Sequence, residues 1–113
     1  DVESIARRFG FVSVCFELLS FEQQIQAAVS AQGMLAAHGS GVTHSLFMPE
    51  QSLLVELFPF ARAVSCDCYE TLAQVMRHRY VSIDTADDHG VDIEVDTRKL
   101  QAVLASMLDE SYV

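Results

Sequence analysis

Short apolar runs at 11–16, 34–37, 53–58 and 80–83 alternate along the chain with segments of helical spacing, and this alternation constrains the fold more than any other feature. They read Phe-Val-Ser-Val-Cys-Phe, Met-Leu-Ala-Ala, Leu-Leu-Val-Glu-Leu-Phe and Tyr-Val-Ser-Ile. Apolar residues at consecutive positions, rich in β-branched and aromatic types, predict strands covered on both faces. Parallel neighbours need crossover connections, so a β-α-β-α-β-α-β order predicts one α/β domain over 1–113, a mostly parallel sheet with helices on both faces.

The connecting segments carry their own punctuation. Val2, Ile5, Ala6 and Phe9 fall at helical spacing and Gly10 follows as a stop. Ser20-Phe21-Glu22-Gln23 is a capping box, predicting a helix with Phe21, Ile25, Ala28 and Val29 as its apolar stripe and Gly33 as its end. Residues 43–48 have room for about one and a half helical turns before Pro49. A loop is expected over 61–68, then a helix on Tyr69, Leu72, Ala73 and Met76 that ends near His78. Residues 85–90 read as an acidic surface loop. Val91, Ile93 and Val95 alternate with Asp92 and Glu94 as an extended segment, and a last helix carries Leu100, Val103, Leu104, Met107 and Leu108, capped by Asp96 or Thr97.

Charge narrows the function classes. Seven Lys and Arg oppose 16 Asp and Glu in 113 residues, a formal charge of −9. A nucleic-acid backbone or an anionic membrane would demand clustered cations, so neither is expected as the main partner, whereas an anionic small ligand remains open through local geometry. No apolar stretch nears the roughly 20 residues that span a bilayer. The start at Asp1 reads as a processed protein or an excised piece, with any signal or anchor upstream. Cys15, in an apolar run, is expected to be a small buried hydrophobe. Cys66 and Cys68 suit neither a relaxed mutual disulfide nor a CxxC zinc site, and one of them could pair outside this chain.

The most informative junction is His38-Gly39-Ser40-Gly41-Val42-Thr43, a strand running into a helix. In open α/β sheets ligands sit at the carboxyl ends of strands. Two glycines let main chain approach a ligand without Cβ obstruction, and a helix start offers free amides to a phosphate. The same glycines also suit a mere tight connection. Glu56 is the second candidate. A carboxylate inside an apolar strand must find a partner; beside the glycine turn it could accept the vicinal hydroxyls of a ribose, or it could pair with an arginine such as Arg62. The four histidines, His38, His44, His78 and His89, lack metal-ligand spacing, the aspartates at 84, 87 and 88 lack calcium-loop order, and no serine nucleophile elbow is present.

The run 38–49, His-Gly-Ser-Gly-Val-Thr-His-Ser-Leu-Phe-Met-Pro, resembles the signature of glycosyltransferase family 61, whose pattern is His-Gly-Ala-Gly-Leu-Thr followed by Leu-Phe-x-Pro. That family includes EGF-domain-specific O-GlcNAc transferases, protein O-mannose β-1,4-GlcNAc transferases and plant xylosyl- and arabinosyltransferases. The likeness extends upstream to Ser20-Phe21-Glu22-Gln23-Gln24-Ile25 and downstream to Val55-Glu56-Leu57-Phe58-Pro59 and Tyr69-Glu70-Thr71-Leu72-Ala73, covering roughly 11–108. Ser40 stands for the customary Ala and Val42 for the customary Leu, both small changes. The resemblance implies a Rossmann-like domain, the C-terminal half of a GT-B glycosyltransferase. It further implies a diphosphate of a UDP-sugar at Gly39, Ser40, Gly41, Val42 and Thr43, the ribose or nearby groups at Glu56, and His38 near the phosphates or the transferred sugar. Inverting transfer of GlcNAc, xylose or a similar sugar to a protein or glycan hydroxyl, without an obligatory metal, follows from the same resemblance. So does an N-terminal domain of the same enzyme that supplies the base and much of the acceptor site, and so does an endoplasmic reticulum or Golgi lumen location. The competing expectation is a non-catalytic interaction domain that kept only the fold.

Overall fold

The structure is a computed structural model and describes residues 2–58, 68–88 and 92–108. Helix α1 (Val2–Arg8) buries Ile5 and Ala6, and Gly10 follows with φ 89°, a left-handed stop that glycine adopts without strain. Residues 11–15 form no strand, against expectation. Phe11 packs against the core, and the chain then runs exposed from 12 into a short 3₁₀ turn, Phe16–Leu18, with Val12 80% and Val14 52% exposed. Cys15 is exposed there too, not buried. The physical reason is that β-propensity needs a ladder partner to act on. Here the chain instead closes a turn whose carbonyls, Phe16 O and Leu19 O, accept from Gln24 Nε2 at 2.7 and 3.2 Å.

Helix α2 (Phe21–Val29) starts at the capping box as expected. Gln23 N–H donates to Ser20 Oγ at 3.2 Å and Ser20 N–H to Gln23 Oε1 at 2.9 Å. Ser20→Ala should therefore lower stability by about 1 kcal/mol, read as a shift in denaturant midpoint at constant slope. The apolar stripe is narrower than predicted: Ala28 is buried and Ile25 half-buried, while Phe21 and Val29 face solvent. Gly33 does not end this helix either. It opens strand β1 (Gly33–Ala37), where a Cβ would lie 3.2 Å from Leu53 O, so its missing side chain serves the close approach of two strands.

Strands β2 (Leu53–Phe58) and β3 (Arg79–Asp84) complete a parallel sheet of order β1-β2-β3, in register Ala36↔Glu56↔Ser82. A 3₁₀ helix, Ser40–Phe47, crosses from β1 towards β2, and α3 (Cys68–Met76) precedes β3. The α/β, Rossmann-like parallel sheet with flanking helices is thus present, with three strands among the described residues. The predicted helix at 43–48 begins earlier and is 3₁₀ rather than α, a tighter coil suited to the short path between Gly39 and Pro49.

Every residue of β2 is buried, and its alternation divides the core. Leu53, Val55 and Leu57 join Ile83, Ile5, Leu100 and Leu104 on one face. Leu54 joins Val42, Met48 and Ala73 on the other, packed by Met34, Ala36, Tyr69 and Tyr80. Helix α1 and α4 (Thr97–Leu108) cover the first face; the 3₁₀ helix and α3 cover the second. Asp96 is the cap of α4, its Oδ1 accepting from Arg98 N–H at 3.0 Å and Lys99 N–H at 3.2 Å. The acidic stretch expected to be a loop instead pairs β4 (Ala86–Asp88) with β5 (Asp92–Glu94) in antiparallel fashion. The loop expected at 61–68, with Arg62 and Cys66, lies outside the described residues, except for Cys68. No helix among the described residues is long and apolar enough to cross a membrane.

Candidate functional site

The register sets which side chains meet at the carboxyl end of the sheet. His38 continues β1, its N–H donating to Leu57 O at 2.9 Å, so its side chain falls on the same face as Ala36 and Met34. Strand alternation puts Glu56 and Phe58 on that face of β2. Tyr80, paired with Leu54, is the diagonal neighbour of Glu56 on β3. The three polar groups converge. His38 Nδ1 lies 2.6 Å from Glu56 Oε2, and the Tyr80 hydroxyl donates to Glu56 Oε1 at 2.5 Å.

This arrangement explains how a carboxylate survives inside Leu-Leu-Val-Glu-Leu-Phe. Glu56 has no exposed surface, and each of its oxygens is met by a donor, which offsets the loss of water. A carboxylate only accepts, so the imidazole proton at that contact sits on Nδ1 and Nε2 is left for other partners. The His38 ring stacks on Phe58 at a centroid distance of 4.8 Å, meets Tyr69 edge-on at 5.4 Å, and keeps a quarter of its side chain exposed. Three contacts therefore fix one partly exposed ring at the carboxyl end of β1.

The glycine turn follows directly. Gly39 is extended (φ 163°) and its carbonyl accepts from Val42 N–H at 3.1 Å, closing the first turn of the 3₁₀ helix. The leading amides of such a helix have no acceptor within it. Space above the turn is open: a Cβ on Gly41 would meet nothing within 4 Å, and one on Gly39 only Ala37 O at 3.9 Å. Val42 is buried and its N–H is taken by Gly39 O, so it props the turn from inside, while Thr43 is exposed with Oγ1 3.3 Å from the Tyr69 hydroxyl. His38, Gly39, Gly41, Thr43 and Glu56 thus lie around one mouth. Glu56 reaches that mouth through His38 rather than with its own oxygens. Tyr69 and Tyr80 escaped the sequence reading. For Tyr80 the signal lay in the strand register, since it sits on the same face as Glu56; Tyr69, in the first turn of α3, is brought in by helix packing.

A cavity of about 870 Å³ runs along the outer edge of β1, lined by Phe11, Leu35, Gly41 and Val42 among others but not by His38. Among the described residues no three His, Cys, Asp or Glu side chains gather as metal ligands.

Comparison with known proteins bears on this mouth. A family model described as Glycosyltransferase 61 matches residues 1–55, from α1 through the glycine turn into β2. The EGF domain-specific O-linked N-acetylglucosamine transferase of Drosophila melanogaster is 30% identical over 80 residues, 71% of this chain and 15% of that protein. The chain belongs to glycosyltransferase family 61. The β-1,2-xylosyltransferase of Oryza sativa subsp. japonica is 28% identical over 104 residues, 87% of this family 61 chain and 22% of the rice protein. A Xenopus laevis EGF domain-specific O-linked N-acetylglucosamine transferase is 26% identical over 72 residues, 64% of the chain and 13% of that relative. The family 61 chain therefore spans between about an eighth and about a fifth of the curated relatives it matches.

Proposed function

We propose that this chain is the nucleotide-sugar-binding part of an inverting glycosyltransferase, with a UDP-sugar as donor and a protein or glycan hydroxyl as acceptor. The observation that carries the reading is the open glycine turn at the carboxyl end of β1, directly beside an imidazole held by a buried carboxylate. Main-chain amides of Ser40 and Gly41 and the Thr43 hydroxyl would hold the diphosphate. Ribose recognition falls to groups other than the Glu56 oxygens, which serve His38.

In transfer, the acceptor oxygen forms its bond to the anomeric carbon as the carbon–oxygen bond to the diphosphate breaks. The bonding pair leaves with the diphosphate, and the acceptor's proton passes to a base. That base belongs to the acceptor side of the enzyme, in the N-terminal domain that the family pattern implies. His38 acts on the other end of the reaction. With Nδ1–H committed to Glu56, a proton on Nε2 points a charge-assisted donor at the departing diphosphate, where negative charge grows. Placement in the lumen of the endoplasmic reticulum or Golgi follows from the same family reading, as does a GlcNAc or xylose donor.

Calorimetric titration of the intact protein with UDP tests the assignment. Gly41→Trp places an indole in open space, so the variant should keep its melting temperature and bind UDP at least about tenfold more weakly, a loss of roughly 1.4 kcal/mol. Equal affinity in the two proteins overturns the turn as the phosphate site. No UDP binding by the wild-type protein overturns the enzyme reading in favour of a fold kept for protein contacts.

A further inference from the structure

Behind the glycine turn, the His44 ring has an oxygen at each nitrogen. Nδ1 lies 3.0 Å from Gly41 O and Nε2 2.9 Å from Gln24 Oε1. The Gln24 amide is not free to turn over, because its Nε2 donates to Phe16 O and Leu19 O, two groups that only accept. Its Oε1 must therefore face the imidazole. A neutral imidazole has one N–H and would set a lone pair against the second oxygen, whereas an imidazolium donates to both.

The surroundings favour a cation. Phe16 packs its ring 4.6 Å from the His44 ring, tilted by 51°. Cys15 and Glu17 line the same small cavity as His44. Of the elements packed on the 3₁₀ helix, β1 has no ionisable side chain, α2 has Glu22 alone, and α3 has Cys68, Tyr69 and Glu70. His38, at the end of β1, already faces Glu56. None of these elements carries Lys or Arg. Arg79 lies at the opposite, amino end of the sheet, where it donates to Gln51 O and Met107 O.

We propose that His44 is held as an imidazolium and supplies the positive charge behind the glycine turn that retains the diphosphate of a nucleotide sugar. This rests on the function proposed above and adds a residue to it. It answers how a chain of formal charge −9 holds a dianionic group at a mouth where no described Lys or Arg stands. Drawn to Nδ1–H, the Gly41 carbonyl is also kept turned inward, away from an incoming phosphate oxygen.

Two measurements on the intact protein test it. With ¹⁵N-labelled histidine, the ligand-free protein at about pH 7.5, where an ordinary imidazole is mostly neutral, should show protons on both nitrogens of His44; a single neutral tautomer overturns the inference, whatever UDP does. In UDP titrations, His44→Gln keeps an amide donor but loses the charge, and should bind about tenfold more weakly than wild type at that pH. The gap should narrow as pH rises and the wild-type ring gives up its second proton. A variant that binds as tightly as wild type at that pH sinks the role of His44 while leaving the UDP site standing. Failure of the wild-type protein to bind UDP sinks the site itself, and the histidine spectrum then still reports the protonation of His44.

Discussion

His38→Gln in the intact enzyme is expected to lower turnover by about 10²–10³-fold with little loss of stability. Glutamine at 38 keeps an amide donor within reach of the buried Glu56, so the carboxylate is not stranded. It lacks the ring that stacks on Phe58 and carries Nε2 to the mouth. If Nε2 meets charge that develops only as the diphosphate leaves, the loss falls on kcat and leaves donor KM nearly unchanged. UDP release from UDP-GlcNAc or UDP-xylose, measured beside the melting temperature, separates this from unfolding. A variant that turns over like wild type removes His38 from the reaction. A rise in KM at constant kcat would make it a contact for ground-state binding only.

The second large effect belongs to Glu56. Glu56→Ala removes the acceptor of two donors at a site with no solvent access and leaves a void, at an expected cost of about 3–5 kcal/mol. Glu56→Gln keeps the volume but turns one amide N–H₂ towards a donor, and about 1–3 kcal/mol is expected. Both variants should lose turnover with His38, because the ring loses its anchor. Denaturant unfolding of Glu56→Gln, Tyr80→Phe and the double variant supplies the check. Groups in one hydrogen-bonded cluster should depart from additivity by about 0.5–3 kcal/mol. Strict additivity would mean that Tyr80 and Glu56 do not act together.

Much of this was legible in the chain because the responsible forces are local. The Ser20-to-Gln23 box spans three residues, and both of its hydrogen bonds form. The run 53–58 is apolar at all positions but one, and it is the fully buried central strand. The glycine turn was legible from its place after a strand. What escaped depends on distant partners. Residues 11–16 have the composition of a strand, yet composition does not supply a neighbour, and Val12 and Val14 lie in solvent. The need of Glu56 for a partner was plain, but the choice was set by register: Tyr80 is 24 residues away and His38 is 18 away. No local pattern distinguishes these from Arg62.

The split character of β2 has a consequence for how such an enzyme changes. Leu53, Val55 and Leu57 are committed to packing with α1 and α4, while Leu54, Glu56 and Phe58 look towards the turn, α3 and the mouth. One six-residue strand thus serves as scaffold on one side and as workbench on the other. Substitutions in the crossover and its neighbouring helix can therefore reshape the mouth while the packing of the opposite flank stays untouched, so the site can vary without the fold being rebuilt.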